Sequence, residues 1–159
     1  MVGMSSASQV ARMLVILAAI LAVAACAKKP PVDGAGGAAV PGSQQDFVVN
    51  VGDRVFFTVD SSEINPTSRE TLDRQASWLN QYGNYSITVE GHADERGTRE
   101  YNIALGARRA AATRAYLVSR GVAANRIQTI SYGKERPVAV CDNASCWNQN
   151  RRAVTVLGS

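Results

Sequence analysis

The chain of 159 residues contains a single histidine and three cysteines, and this scarcity limits its chemistry. One histidine cannot supply a His-Glu-x-x-His metal helix or a histidine-rich zinc site, and the sequence has no Gly-x-Ser-x-Gly turn of a serine hydrolase. Asp94 and Glu95 are adjacent, whereas glycosidases flank the scissile bond with two separated carboxylates. We therefore expect a binding protein with no catalytic residues, no metal and no cofactor.

Aromatic residues are few, at 6%, and the formal net charge of +4 arises from 17 basic and 13 acidic residues. The basic residues are scattered among the acids, and the densest points are the pairs Arg108-Arg109 and Arg151-Arg152. A nucleic-acid surface usually combines a continuous basic stripe with aromatic side chains. The sequence has no such stripe, and nucleic acid is not an expected partner.

The longest apolar run, from Met13 to Ala25, is too short for a transmembrane helix. At about 1.5 Å per residue it cannot cross a hydrocarbon core of about 30 Å. The single basic residue Arg12 precedes the run, and small residues end it. This arrangement is typical of a signal peptide, which we assign to residues 1–25.

The end of the signal peptide, Val23-Ala24-Ala25-Cys26, resembles the lipobox of bacterial lipoproteins. The resemblance implies that Cys26 is acylated and becomes the first residue of the mature protein, held stably on a membrane by two or more acyl chains. Ala27 stands where an Asp would resemble an inner-membrane retention signal, which favours the outer membrane. The alternative is an ordinary signal-peptide cleavage site that happens to contain a cysteine.

The two remaining cysteines, Cys141 and Cys146, are separated by four residues. In the oxidising compartment that a signal peptide implies, such a pair predicts a disulfide. A metal half-site is the alternative, although no second Cys or His pair exists to complete tetrahedral coordination.

Residues 26–45 are rich in Pro, Gly, Ala and Ser without apolar periodicity, which predicts a lipidated N-terminus and a flexible linker. Residues 46–159 predict one α/β domain in which helices pack on a mixed sheet, in the order strand, helix, strand, helix, strand, with a final strand after the cysteines. The predicted strands comprise residues 55–59, 85–90, 126–132 and 153–157. The predicted helices begin at Asn65-Pro66 and near Thr98.

The second predicted helix should extend to Arg120, with Gly121 as its terminator. Helical spacing indicates a buried face, which we predict to contain Tyr101, Leu105, Ala112 and Tyr116.

The strongest candidate for a binding site combines Asp94 with Asn102 and Arg109. Asp94 follows the second strand, and the other two residues lie seven apart on the next helix, near one face and about 10 Å apart along its axis. Arg109 can hold a carboxylate bidentately and Asp94 can accept hydrogen bonds from an ammonium group, so together they suit a zwitterionic ligand. Taken alone, this spacing also fits a helix cap at Asp94 and a surface ion pair at Arg109.

Several segments resemble the OmpA-like peptidoglycan-binding domain family in the same order along the chain. The central motif is Gly91-His92-Ala93-Asp94-Glu95-Arg96-Gly97-Thr98, with Glu100–Leu105 and Arg108-Arg109-Ala110 after it. Val55-Phe56-Phe57 leading to Asp60, then Ser131–Glu135 and Asn150–Val154, extend the resemblance over essentially all of 46–159. The sequence departs from the family at Gly106, where Ser is common, and at Val59, where some members have an aromatic residue.

The resemblance implies that Asp94 and Arg109 bind the meso-diaminopimelate of peptidoglycan. The other implied pocket residues are Asp60, Thr98, Asn102 and Leu105, with Arg151 contributing from the C-terminal motif. His92 is expected to make structural hydrogen bonds, with a pH-sensitive ligand contact as the alternative.

The implied function is a non-catalytic link between the outer membrane and the cell wall, with the domain in the periplasm. The resemblance also implies the periplasmic protein TolB and other Tol-Pal components as partners, and a role in envelope integrity and in constriction at cell division. Two rivals remain: an enzyme that processes the cell wall, and an interaction protein that binds TolB while the Asp94 site is vestigial.

Overall fold

A four-stranded mixed sheet forms the centre of the computed structural model, which describes residues 39–158. The strands are β1 (Arg54–Phe56), β2 (Ser86–His92), β3 (Ile127–Gly133) and β4 (Arg152–Gly158). Their order across the sheet is β1-β4-β2-β3; β4 is antiparallel to both of its neighbours, and β2 is parallel to β3. The predicted α/β class and the mixed sheet are confirmed.

The helices precede, connect or follow these strands. They are α1 (Gln44–Asp46), which continues as a π-helical turn at Phe47–Gly52, then α2 (Pro66–Gln81), α3 (Arg99–Ser119) and α4 (Ala144–Asn150). A short 3₁₀ turn at Ala124–Arg126 leads into β3. Within residues 39–158, no helix is long and apolar enough to cross a membrane.

The ends of the two long helices follow the predicted signals. The Asn65 side chain accepts a hydrogen bond from the Ser68 N–H over 2.8 Å, with Pro66 as the first helical residue of α2. Thr98 Oγ1 accepts from the Tyr101 N–H over 3.1 Å at the start of α3. Gly121 follows α3 with a φ of +94°, a conformation that favours glycine.

One hydrophobic core lies between the helices and the sheet. Val89 and Ile87 of β2 contribute alternate side chains, and Leu72 and Leu79 of α2 and Leu117 of α3 pack against them. Each of these side chains is almost completely buried, and full burial of a residue of this size contributes roughly 2 kcal/mol. The core therefore fixes α3 against β2, whose C-terminal end leads to Asp94.

Gly42 and Asp46 already contact the folded domain, although Gly42 lies three positions before the predicted end of the linker at 45. Tyr85 Oη donates to the Gly42 carbonyl over 2.9 Å, and Trp78 Nε1 donates to Asp46 Oδ2 over 2.8 Å. Phe47 is buried beside the Trp78 ring, with a centroid distance of 4.9 Å. Residues 1–38 and 159 lie outside the described part of the chain, and with them the predicted signal peptide, Cys26 and most of the predicted linker.

The first strand is shorter than its alternating pattern predicted. It ends at Phe56, because the carbonyl groups of the next two residues accept hydrogen bonds from arginine side chains instead of a neighbouring strand. Asp60 then adopts a φ of +55°. The predicted extension of this strand to Val59 is therefore wrong, and the segment 57–61 is a loop beside the candidate site.

The buried face of α3 differs from the predicted one. Tyr101 is 44% exposed, and Ala112 and Tyr116 are only half-buried, so of the four predicted residues Leu105 alone is buried. The face that contacts the sheet is displaced by about one residue and includes small and polar side chains: Asn102, Leu105, Gly106, Arg109, Ala110, Thr113 and Leu117. The polar residues on this face include Asn102 and Arg109, which belong to the candidate site at one end of the helix.

Candidate functional site

A pocket of about 290 Å³ opens where β2 ends and α3 begins. Its walls come from the loop after β1, the loop after β2 and the first two turns of α3. The lining residues are Val59, Asp60, Asp94, Arg96, Gly97, Tyr101, Asn102 and Leu105. Four of the residues predicted for the site, Asp60, Asp94, Asn102 and Leu105, are thus brought together.

Asp94 lines this pocket, and its side chain is only 9% exposed. Its carboxylate accepts hydrogen bonds from Arg96 Nε over 3.0 Å, from Arg96 Nη2 over 2.8 Å and from Arg151 Nη1 over 3.0 Å. Burial alone would raise the pKa of Asp94, but the hydrogen bonds from Arg96 and Arg151 outweigh that effect and lower the pKa to about 2. Asp94 is therefore an anion at neutral pH.

Arg96 is a pocket residue that the sequence analysis did not assign. Its side chain is 42% exposed, and its guanidinium lies 4.2 Å from the centroid of the Trp147 ring while pairing with Asp94. Trp147 Nε1 also donates to Glu95 Oε1 over 3.1 Å. The sequence signal for Arg96 was its position two residues after Asp94, because a long cationic side chain there can reach the same pocket as the carboxylate.

The loop after Asp94 is fixed through its backbone carbonyl groups. Asn102 Nδ2 donates to the Arg96 carbonyl over 2.7 Å. Lys134 Nζ donates to the carbonyls of Glu95 over 3.1 Å and Gly97 over 2.7 Å. Asn102 thus lines the pocket and also holds the loop, while Thr98 caps α3 and is absent from the pocket lining.

Arg109 is completely buried and contacts three backbone carbonyl groups. Its Nε donates to Ser61 over 2.9 Å, its Nη1 to His92 over 2.8 Å and its Nη2 to Thr58 over 3.1 Å. Burial, and then the nearby charge of Arg151, lowers the pKa of Arg109 to about 10, so the guanidinium stays charged at neutral pH. Arg109 therefore holds the 58–61 loop through its backbone carbonyl groups and does not line the pocket.

Asp60 lies on that loop and faces α3. Tyr101 Oη donates a hydrogen bond to Asp60 Oδ1, and this bond is the main reason why the pKa of Tyr101 is raised. Asp60 is exposed and lines the pocket together with Asp94. The exposure of Tyr101, unexpected from helical spacing, places its hydroxyl at the pocket wall.

Arg151 connects the pocket to the C-terminal region. Besides Asp94, its guanidinium donates to the Phe57 carbonyl over 3.2 Å and to Asn148 Oδ1. It follows α4, a helix that the sequence analysis did not anticipate and that contains one end of the disulfide between Cys141 and Cys146. The disulfide and Arg151 therefore belong to one structural unit beside the pocket.

His92 is buried on the side of β2 that carries Glu90, away from the pocket lining. Within residues 39–158, neither ring nitrogen has a hydrogen-bond partner, contrary to the expected structural hydrogen bonds, and Glu90 Oε2 lies 3.5 Å from Nε2. Burial, and then the positive charges of Arg152 and Arg136, lowers the pKa of His92 to about 4. Its backbone carbonyl, rather than its ring, reaches the site through Arg109.

Comparison with known proteins identifies similar chains. A family model described as the OmpA family matches residues 56–152. The relatives named peptidoglycan-associated lipoprotein include that of Rhizobium meliloti, 68% identical over 152 residues covering 91% of this chain and 86% of the relative. That of Pseudomonas aeruginosa is 46% identical over 120 residues, covering 75% of this chain and 71% of the relative.

Solved structures show the same fold. The crystal structure of the peptidoglycan-associated lipoprotein from Burkholderia pseudomallei has a TM-score of 0.65 and 39% identity, covering 67% of this chain and 90% of that chain. The C-terminal domain of Helicobacter pylori MotB has a TM-score of 0.63 and 25% identity, covering 67% of this chain and 84% of that chain.

Proposed function

Because the chain belongs to the OmpA family, we propose that it is a non-catalytic outer-membrane lipoprotein that binds the diaminopimelate-containing peptide stem of peptidoglycan. The name shared by relatives up to 68% identical, peptidoglycan-associated lipoprotein, supports this proposal. The domain would work in the periplasm and tether the outer membrane to the cell wall as part of the Tol-Pal system, in envelope integrity and in constriction at cell division.

The observation that carries the proposal is the charge of the pocket around Asp94. Two carboxylates, Asp60 and Asp94, and one half-exposed guanidinium, Arg96, line a space of about 290 Å³. The free end of diaminopimelate in a peptide stem carries one ammonium and one carboxylate group. A pocket with both signs of charge and a volume near the lower end for small-molecule sites suits such an end.

Each charge has a defined role in this proposal. The ligand's ammonium group donates to Asp94 and Asp60, and the ligand's carboxylate pairs with Arg96, which turns from Asp94 toward the ligand. Leu105 packs against the methylene groups between them, while Asn102 and Thr98 hold the loop and the helix end in place. Arg151 keeps Asp94 ionised and oriented when Arg96 moves.

Arg109 is proposed to act on the same ligand from the inner side of the 58–61 loop. It gives three of the five N–H groups of a guanidinium to backbone carbonyls, so it fixes the loop that presents Asp60. The resemblance that assigns Arg109 to the ligand's carboxylate requires the two remaining N–H groups to reach the pocket. The two roles predict different effects of Arg109→Lys on stability and on sacculus binding.

Binding without catalysis is favoured by the chemistry of the same groups. A carboxyl with a pKa near 2, held by two guanidinium groups, is a poor proton donor and a weak base at neutral pH. The His92 ring lies outside the pocket lining. Incubation of the protein with purified sacculi should therefore release no muropeptides, and release would favour the wall-processing enzyme.

The direct test is co-sedimentation of the purified protein with sacculi. We expect the unmodified protein to pellet and Asp94→Asn, which has the same shape without the charge, to remain largely in the supernatant. Asp142→Asn is the matched control, because Asp142 is an exposed carboxylate outside the pocket. Equal pelleting of both variants would contradict the proposed site and favour the interaction protein with a vestigial pocket.

Ligand specificity is tested with sacculi of different composition. Peptidoglycan with lysine at the third position lacks the second carboxylate of diaminopimelate and should pellet much less protein. Equal retention on both kinds of sacculi would contradict diaminopimelate recognition while leaving wall binding intact.

The anchor and the protein partner need separate tests. Replacement of Cys26 by Ser should abolish partitioning of the protein into detergent, and persistent partitioning would contradict acylation at this residue. Capture of TolB by the purified protein, repeated in the presence of a soluble peptidoglycan fragment, tests the Tol-Pal partner and also whether the two ligands compete.

A further inference from the structure

A second pocket adjoins the Asp94 pocket on the other side of the 57–61 loop. It is an open groove of about 540 Å³ between this loop, the start of α2 and the end of α4. Val59 lines both pockets, and Arg151, which lines the second, donates to Asp94 in the first. The two spaces are therefore neighbouring parts of one surface, and a polymer held in the first can reach the second.

The second pocket differs from the first in charge. Among the described residues, Arg151 is the only charged one that lines it, and all three guanidinium nitrogens of Arg151 are engaged, by Phe57, Asp94 and Asn148. Its positive charge is compensated by Asp94. A charged ligand group would therefore find no unpaired opposite charge among the lining residues, which favours a neutral occupant.

Apart from Arg151, the lining of the second pocket combines an aromatic ring with amide groups. Phe56 is 44% exposed, and Val59 next to it is also exposed. The Asn148 oxygen accepts from Arg151 and the Gln149 nitrogen donates to the Ser145 carbonyl, so that, within the part of the chain that the structure describes, the Asn148 N–H₂ group and the Gln149 oxygen remain for a ligand. An exposed ring beside one amide donor and one amide acceptor matches a sugar, which offers an apolar face and an N-acetyl group.

We infer that this second pocket, which we call the Phe56 pocket, is a subsite for an N-acetylated sugar of the glycan strand. The inference rests on the proposed function, because the peptide stem in the Asp94 pocket is what brings the attached sugar within reach. The protein would thus recognise a glycopeptide rather than a peptide alone. Phe56 and Gln149 determine this part of the specificity.

The test compares two soluble probes by calorimetric titration of the purified protein. The first is the tripeptide that ends in meso-diaminopimelate, and the second is the same tripeptide attached to its N-acetylated disaccharide. We expect the second probe to bind about tenfold more tightly than the first. Phe56→Ser and Gln149→Ala should each reduce this difference and leave the affinity for the tripeptide unchanged.

The controls separate this inference from the function on which it rests. Gln128→Ala removes an exposed amide from β3, outside the Phe56 pocket, and should keep the tenfold difference. Gln149 is an exposed helix residue, so its variant serves if Phe56→Ser fails to fold. Equal affinity of the unmodified protein for both probes, or a difference retained in both pocket variants, would overturn the subsite while the proposed function stands. Failure of both probes to bind would overturn both.

Discussion

Arg151 and Asp94 form a buried ion pair, with Nη1 3.0 Å from Oδ2 and side-chain exposures of 7% and 9%. The pair joins the C-terminal strand region to the end of β2 across the sheet. Asp94 has a second partner in Arg96, but that guanidinium is 42% exposed. The two arginines contact the same carboxylate in different surroundings, and we expect them to contribute differently to stability.

Arg151→Met should lower the free energy of unfolding by about 3 kcal/mol, because it leaves a buried carboxylate without its buried partner. Arg96→Met is the matched control and should cost much less than Arg151→Met, since exposed ion pairs contribute little. Urea denaturation of both variants measures the difference. Similar losses would contradict the assignment of Arg151 as the structural partner of Asp94.

Arg109→Lys should lower the free energy of unfolding by about 2 kcal/mol. A lysine carries the charge but cannot reach three carbonyl groups in a fixed geometry, and buried acceptors left unsatisfied cost about 1 to 3 kcal/mol each. Arg108→Lys, at the exposed neighbouring position, should be nearly neutral. A variant that keeps its stability in urea but loses sacculus binding would instead assign Arg109 to the ligand.

His92 should titrate well below the ordinary histidine pKa of 6.5, at about 4. The charged groups around it are Glu90 on its own strand and the cations Arg152 and Arg136. Because the folded pKa is below the unfolded one, this contribution to stability is complete above pH 6.5 and is lost as the pH falls toward 4. NMR titration of the ring, the only imidazole in the chain, measures the pKa.

The His92→Phe variant tests the contribution of this group to stability. Urea denaturation at pH 7 and pH 5 should show a smaller loss on acidification in His92→Phe than in the unmodified protein. A ring pKa near 6.5, or the same pH dependence in both proteins, would contradict the burial of the imidazole.

Gly106→Ala should destabilise the protein by about 1 to 3 kcal/mol, although alanine is the better helix former by about 1 kcal/mol. An added methyl group would lie 2.8 Å from the Gly91 carbonyl oxygen and would overlap Ser131 Oγ. Ala107→Gly, at the next and exposed position, isolates the helix propensity and should cost about 1 kcal/mol. A stabilised Gly106→Ala protein in thermal denaturation would contradict the close packing of α3 on β2.

Helix ends and the central motif were predictable because their signals are local. Asn65 and Thr98 cap their helices through hydrogen bonds to N–H groups three residues away, so the sequence contains both partners. Asp94 was found because it follows a strand and because its neighbours resemble a family motif. The pocket position of Asp60 came from the resemblance alone, since its contact with Tyr101 joins residues 41 positions apart.

The remaining features depend on contacts that the sequence does not reveal. Arg109 appeared to be a surface ligand group, because nothing local indicates that the carbonyls of Thr58, Ser61 and His92 would accept its hydrogen bonds. Tyr101 has the helical spacing of a core residue relative to Leu105, yet it lies one position from the true buried face. Helix α4 has no apolar periodicity, and its buried residues are Asn150 and the disulfide-bonded Cys146.

The contacts of Gly42 and Asp46 have a mechanical consequence. They fasten the incoming chain to Trp78 and to Tyr85, which precedes β2, whereas Asp94 follows the opposite end of the same strand, roughly 20 Å away. Under the proposed function, a load applied between the membrane anchor and the cell wall would be directed along β2. This strand is hydrogen-bonded to β3 on one edge and β4 on the other, so the load shears two ladders whose bonds must break together rather than one after another.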